Sequence, residues 1–404
     1  MAERSSDSAP GTPAYRYALV VTFVIGIFLP LIDWRWSLDH SPELTENRVL
    51  APAPAWPKNR TEWALLPKAL ERYWNDAFGF RRTLIRWQAE ANYDLGVSSA
   101  SNVVIGKQPW LFFAGEQSME QRRGLRPFSE AELENWAQHL EARRAWLASR
   151  GAHYLFVVAP DKHTIYPEAV PDRYGPLGRT PLDQLTDYLR AHSRVDVLDL
   201  RPTLKVARGA GEVYLHTDTH WNDRGAFAAY SAIVERLRVW YPQLRPRSAL
   251  SFERHWTEPW NGDLAVMIGG VFDVMTERSE QWQPTSPLAI RELATSDYRP
   301  PDAIQFAEFD ASGSEMLPRA VIFHDSFLLA SDERPVPGRK LPARALPPPP
   351  PTFRIRGLLA EQFSHAAFSW QYPFDSQLVA REHPDVVIEE HVERLIRRKP
   401  QGSL

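Results

Sequence analysis

The segment HYLFVVA, His153–Ala159, constrains this chain more than any other. Apolar after its first residue and bounded by Gly151 and Pro160, it has the pattern of a strand buried on both faces of a mainly parallel sheet. Just before it, Ser129 and Glu132 have capping-box spacing, and Leu133, Trp136, Leu140 and Leu147 keep one face apolar up to Gly151, which predicts a helix. The alternation then repeats. Thr180-Pro181 opens a helix through about His192, residues 195–200 read as a strand, residues 223–241 as a long helix, and Arg319–His324 and 385–389 as further strands. Strands alternating with helices predict an α/β fold with a doubly wound, mainly parallel sheet.

Residues 18–32, ALVVTFVIGIFLPLI, carry no charge and have Tyr15, Tyr17, Trp34 and Trp36 at their edges. With these flanks the segment suits a tilted membrane span, and its short core also fits the apolar region of a signal peptide. No small-x-small cleavage site follows directly; the nearest, Ala51-Pro52-Ala53, comes about twenty residues too late. The expectation is an uncleaved anchor with a short tail inside and residues 37–404 outside. Three regions follow: 1–36, tail and anchor; 37–128, a Pro- and Trp-rich connecting and bracing region with a helical stretch at about 61–92 and little strand patterning; and 129–404, the α/β domain. The last is interrupted at about 242–318 and at 331–352, where five consecutive prolines, 347–351, fit a stiff polyproline excursion at the surface or a recognition ligand.

Composition removes several classes of function. With no Cys among 404 residues there is no disulfide framework, no thiol nucleophile and no Cys-ligated metal. Forty-seven basic against fifty acidic residues give no electrostatic footprint for nucleic acid. No His pair at helical i, i+4 spacing stands near a carboxylate in a metal-site context, and Gly209 to Gly211 is too short for a phosphate fingerprint, so no metal and no cofactor is expected.

The chemistry is expected in LHTDTHWN, residues 215–222, between a short apolar run and the helix opening at Asp223. In such a strand-to-helix loop, Asp218 can hold one imidazole nitrogen of His220 while the other faces outward as a base. A second Asp-x-His, Asp161-Lys162-His163, follows the first strand. Without Cys, the nucleophile must be Ser or Thr. Of three Asp-Ser pairs, only Asp325-Ser326 comes directly off an apolar strand and runs into an apolar FLLA that can start a helix. There Ser326 is either a nucleophile whose own amide stabilises an oxyanion or an ordinary helix cap.

The pairing of Asp218-Thr219-His220-Trp221-Asn222 with His324-Asp325-Ser326-Phe327 resembles the SGNH hydrolase-like alginate O-acetyltransferases of the AlgJ/AlgX group. The likeness continues, in family order, in Glu46-Asn47-Arg48, Leu50-Ala51-Pro52, Asp76-Ala77-Phe78-Gly79-Phe80-Arg81, Gly106-Lys107, Trp110-Leu111-Phe112, Ala159-Pro160-Asp161-Lys162, Tyr166-Pro167-Glu168, Gly262-Asp263-Leu264-Ala265 and Pro384-Asp385-Val386-Val387-Ile388. It spans about residues 46–394. The resemblance implies an SGNH hydrolase-like fold and a triad of Ser326 as nucleophile, His220 as base then acid, and Asp218 as orienter. It also implies a periplasmic domain held at the bacterial inner membrane through residues 18–32, a polysaccharide acceptor, and a multi-spanning membrane acyltransferase as acetyl supplier. Two features depart from the family pattern: His324 stands where such serine loops commonly have Gly, and the 331–352 excursion follows Ser326 almost at once.

Asp161, Lys162, Trp221 and Asn222 are candidate substrate-binding residues. Trp221, Trp256, Trp260 and Trp370 either stack on sugar rings or pack in the core. A carbohydrate esterase or deacetylase would use the same triad with water as acceptor, and a non-catalytic glycan-binding member would keep the fold without turnover.

Overall fold

Alternate side chains of His153–Ala159 enter two different cores in the computed structural model of the chain. Leu155, Val157 and Ala159 join one cluster, while Tyr154, Phe156 and Val158 join the other. A strand covered on both faces has no solvent side, and this is why the run shows no polar alternation. The structure describes residues 13–41, 50–107, 109–268, 275–293, 300–311, 316–328 and 355–402. The 331–352 excursion with its five prolines lies outside the described residues.

The chain divides into two compact units, residues 1–94 and 95–404. The first holds helices α1 (Pro13–Trp36), α2 (Arg60–Ala77) and α3 (Arg81–Asp94). Over Arg16–Trp36, α1 is long and apolar enough to cross a membrane. The helical stretch expected at about 61–92 is broken at residues 78–80. A Cβ on Gly79 would lie 2.1 Å from the Pro30 carbonyl oxygen, so only glycine permits this approach of the turn to α1. Asp33 Oδ2 then accepts the Phe80 amide at 2.7 Å, and Phe80 takes a left-handed φ of 56°.

The second unit runs β1 (Val103–Ile105), β2 (Leu111–Phe113), α4 (Ser118–Arg122), α5 (Glu130–Ala148), β3 (His153–Ala159), α6 (Lys162–Ile165), α7 (Pro181–His192), β4 (Asp196–Asp199), α8 (Arg201–Arg208), α9 (Asp223–Leu237) and β5 (Phe252–Trp256). It continues with α10 (Asp263–Met267), β6 (Glu280–Pro284), β7 (Ile290–Glu292), β8 (Gln305–Ala311), β9 (Arg319–His324), α11 (Ile355–Ala360), β10 (His365–Trp370), α12 (Ser376–Glu382) and β11 (Val386–Val392). The capping box of Ser129 and Glu132 starts α5, and a second one, Thr180 with Asp183, starts α7 behind Pro181. Gly151, at φ +77°, allows the turn from α5 into β3.

A seven-stranded sheet has the order β4-β3-β11-β9-β10-β8-β7. The first five strands are parallel neighbours; β8 and β7 add to the β10 edge antiparallel. One face is covered by α8, α9 and α11, the other by α5, α7 and α12. This is the expected doubly wound, mainly parallel architecture, with an antiparallel extension built from the 242–318 insertion. The rest of that insertion holds α10 and the antiparallel pair β5 and β6.

Candidate active site

The carboxyl ends of β3, β9 and β11 lie side by side, the edge at which parallel sheets present reactive groups. Ser326 opens a single 3₁₀ turn directly after β9. The residue before it fixes that turn. Asp325 Oδ1 accepts the Phe327 amide at 2.9 Å, Oδ2 accepts the Val392 amide at 2.7 Å, and the Asp325 amide donates to Glu390 Oε2 at 3.0 Å. The turn is therefore pinned to the end of β11. Burial, reinforced by the Asp325 charge, pushes the Glu390 carboxyl well above its ordinary range. His324, where related loops commonly have Gly, is fully buried. Its Nδ1 donates to the Asp325 carbonyl at 2.7 Å, and burial lowers its pKa to about 3, so it stays neutral.

The Asp-x-His loop meets this turn from the side. A bridge between Tyr214 and Trp221 closes the loop, and Asn222 caps α9 by accepting the Gly225 amide at 3.0 Å. His220 Nε2 stands 2.9 Å from Ser326 Oγ, and its Nδ1 stands 2.8 Å from Asp218 Oδ1. Asp218 Oδ1 also accepts the His220 amide at 3.0 Å, which locks carboxylate and imidazole in one local ring. Asp218 and His220 are buried, whereas Ser326 is partly exposed. The serine end of this hydrogen-bonded series is thus less buried than the carboxylate end. Phe327 packs 4.9 Å from the His220 ring, and Trp221 stands edge-on to Phe327.

The four candidate substrate-binding residues, Asp161, Lys162, Trp221 and Asn222, make their contacts with the protein itself. Lys162 is buried, and its ammonium donates to the carbonyls of Leu215, His216 and Asp218 at 2.9, 3.0 and 2.7 Å. Asp161 is buried and paired with Arg394. Trp221 belongs to the core, and the Asn222 amide group donates to the Glu212 carbonyl at 2.9 Å. Trp260 is buried, Trp370 half-buried and Trp256 exposed.

Three contributors were not singled out as site residues from sequence. The Asp263 amide donates to Asp218 Oδ2 at 3.1 Å, and the Asp263 carboxylate lies 3.9 Å from His220 Nδ1. Gly262 donates to Thr217 Oγ1 at 2.9 Å, and a Cβ there would sit 2.3 Å from the Thr217 backbone. Glu277 is buried against the same loop. The signal for the first two was the Gly262-Asp263-Leu264-Ala265 segment, whose role no spacing rule assigns; Glu277 carried none.

Among the described residues, Asp218, His220 and Asp263 converge closely enough to hold a cation, as do Glu308, His365 and Glu382. In the first group Asp218 already accepts three N–H donors, and Asp263 Oδ1 accepts the Thr219 amide at 2.7 Å. In the second, Arg381 lies 3.0 Å from Glu308 and 3.1 Å from Glu382 and supplies the positive charge.

A layered α/β sheet with a hydrogen-bonded Ser, His and Asp at its carboxyl edge defines an SGNH hydrolase-like domain. Residues 103–297 match the family described as "SGNH hydrolase-like domain, acetyltransferase AlgX". The match contains Lys162, Asp218, His220, Asp263 and Glu277 and ends before Ser326. Over 251 residues the chain is 25% identical to the "Probable alginate O-acetylase AlgJ" of Pseudomonas syringae pv. tomato, covering 62% of this chain and 60% of that protein. Its namesake from Pseudomonas aeruginosa is 28% identical over 227 residues, 54% of each chain. This chain thus spans a little over half the length of these curated relatives. The O-acetyltransferase domain of Pseudomonas putida AlgJ superposes with a TM-score of 0.47 at 18% identity, covering 74% of this chain and 94% of that domain.

Proposed function

We propose that this chain is an exopolysaccharide O-acetyltransferase that works through an acetyl-serine. One observation carries the reading: Ser326 Oγ, His220 and Asp218 are joined by contacts of 2.9 and 2.8 Å, and Ser326 is the least buried of the three. Ser326 Oγ attacks the donor's acetyl carbonyl as His220 Nε2 takes its proton, and the resulting imidazolium is held by Asp218. Collapse of the tetrahedral intermediate expels the donor group, which takes the proton from His220, and leaves acetyl-Ser326. A sugar hydroxyl then attacks the acetyl carbon as His220 takes its proton; the bond from that carbon to Ser326 Oγ breaks, His220 returns the proton to Oγ, and the sugar ester leaves. The Ser326 amide is the proposed oxyanion donor, since the Phe327 amide is engaged by Asp325.

The names of the curated relatives support acetyl transfer to a polysaccharide. The apolar length of α1 supports an inner-membrane anchor with the α/β unit in the periplasm, where a multi-spanning membrane acyltransferase supplies the acetyl group. An esterase differs only in giving the acetyl group to water. Mass spectrometry of the full chain in detergent, incubated with an activated acetyl ester with and without oligosaccharide, tests both steps. Acetyl on the Ser326 peptide that passes to sugar faster than to water is the expected result. Loss to water with every acceptor supports the esterase, and no adduct on folded protein refutes the acyl-serine.

A further inference from the structure

Two buried ions of opposite charge hold the backbone of the Asp-x-His loop, one by its carbonyls and the other by its amides. Lys162, at the start of α6, takes the carbonyls of Leu215, His216 and Asp218. Glu277, from the insertion, takes the amides: Oε2 accepts from His216 at 2.7 Å, and Oε1 accepts from Thr217 at 2.9 Å and also from the Thr217 hydroxyl. Neither side chain contacts Ser326 or the His220 ring in these bonds. Both are expensive to bury. Burial lowers the Lys162 pKa to about 8, opposed by the charges of Glu277, Asp218 and Asp263, and burial raises that of Glu277. A loop of this length could be held by neutral groups, so two desolvated charges call for a reason beyond filling space.

We propose that Lys162 and Glu277 are positioning residues that act as one clamp, setting the distance of His220 from Ser326. The inference rests on the Ser326 reading above and adds the source of its geometry. Lys162 fixes the carbonyl of Asp218 itself, and Glu277 fixes the two residues before it, so the loop enters Asp218 with no free peptide. His220 then follows two residues later, tied back to Asp218. Removing either ion leaves two or three loop groups without their partner and lets the imidazole swing. A displacement of about 1 Å at a reacting pair costs on the order of 100-fold in rate.

The test uses the full chain in detergent and phenylmethylsulfonyl fluoride. In that reaction Ser326 Oγ forms a bond to sulfur, fluoride leaves, and His220 takes the proton. The labelling rate of Ser326, read by peptide mass spectrometry, reports the nucleophile and base without any acetyl acceptor. Lys162→Met and Glu277→Gln are each expected to label about 10- to 100-fold more slowly. Because they hold one loop, the double variant should be about as slow as the slower single variant. The downfield Nδ1 proton of His220 should shift or vanish in the NMR spectrum of both. Arg143→Lys, in a buried ion pair on the other face of the sheet, should lower the thermal midpoint and leave the labelling rate unchanged. Wild-type labelling rates in Lys162→Met and Glu277→Gln, losses that multiply in the double variant, or losses that track the midpoint as in Arg143→Lys each overturn the clamp. If wild type itself shows no label that Ser326→Ala removes, the Ser326 reading fails and the clamp falls with it. Should Lys162→Met not fold, Glu277→Gln, which keeps the side-chain shape and one acceptor, decides the question alone.

Discussion

Replacing Asp218 by Asn separates orientation from charge. Among the described residues the carboxylate accepts these three N–H groups: the His220 ring and the His220 amide on Oδ1, and the Asp263 amide on Oδ2. An Asn amide has one oxygen. With that oxygen toward His220 it keeps two of the three bonds and the imidazole tautomer that accepts from Ser326; turned the other way it keeps one and imposes the wrong tautomer. The first orientation is favoured by one hydrogen bond, about 1 kcal/mol. What is lost is charge beside the imidazolium. At an effective dielectric constant near 20, a carboxylate at 2.8 Å attracts a unit positive charge by about 6 kcal/mol and one at 3.9 Å by about 4 kcal/mol. Asp263 therefore retains much of the field that Asp218 supplied. The net loss is the difference between a charged and a neutral hydrogen bond, about 1–1.5 kcal/mol, or roughly 10-fold in rate. Without a second carboxylate and with the wrong tautomer, the loss would be about 10⁴-fold. The assay is the burst rate with an activated acetyl ester for Asp218→Asn, Asp263→Asn and the pair. The expected pattern is about 10-fold for the first, less for the second, and a further drop in the pair. A loss near 10⁴-fold in Asp218→Asn with no additional effect of Asp263→Asn would refute the backing role of Asp263.

Three other perturbations follow from buried groups. Arg143 pairs with Glu389 at 2.7 and 2.9 Å, and Tyr154 and His391 complete the shell of that carboxylate. Arg143→Met strands a buried charge and should cost about 3–5 kcal/mol in urea unfolding. Despite the opposing effect of burial, Arg143 and the surrounding hydrogen bonds lower the Glu389 pKa from 4.5 to about 2, so its stabilisation is present above pH 4.5 and is lost as pH falls through 2. That acid limb should shrink in the variant. Glu393 is shifted the other way, to about 7, by burial and then by the charge of Asp161. Its stabilisation is present below pH 4.5 and lost as pH rises through 7; unfolding of Glu393→Gln followed from pH 4 to 8 should be flatter than wild type, and an unchanged slope would contradict the shift. Gly262→Ala should abolish Ser326 labelling by at least about 100-fold, because its Cβ would meet Thr217 backbone at 2.3 Å and that backbone cannot rotate away.

Much of the sheet was legible because its strands obey local rules. β3 and β9 are apolar runs covered on both faces, α5 begins at a capping box that sequence spacing reveals, and α7 begins behind the Thr180-Pro181 pair. β11 was read too short. It continues from Val386 through Val392 across Glu389, Glu390 and His391, three buried polar residues that hide a central strand from any apolar pattern. Two are matched by partners distant in sequence, Arg143 for Glu389 and Asp325 for Glu390, and His391 pairs with Glu389 two residues before it. β10, HAAFSW, was missed for the reverse reason, since its small residues pass for a loop until β8 and β9 flank it. The break between α2 and α3 was equally invisible, because the Pro30 carbonyl that demands Gly79 lies 49 positions away in the chain (79 minus 30).

The reactive residues divide along the same line. Asp218 and His220 are two apart, so their mutual bond is local and a motif can announce it. The bond from His220 to Ser326 spans 106 positions, and sequence supplies only the edge of the sheet on which both must lie. Between these extremes stands the loop conformation itself. Among its long-range hydrogen bonds are four sets of supports, from Lys162, Gly262, Asp263 and Glu277, all 44 or more positions from the loop groups they hold. The insertion at 242–318, which reads as an interruption of the α/β pattern, therefore supplies three of the four supports. A variant that deletes it while preserving every residue of the Asp-x-His and Asp-Ser motifs should lose the 2.9 Å contact on which the chemistry depends.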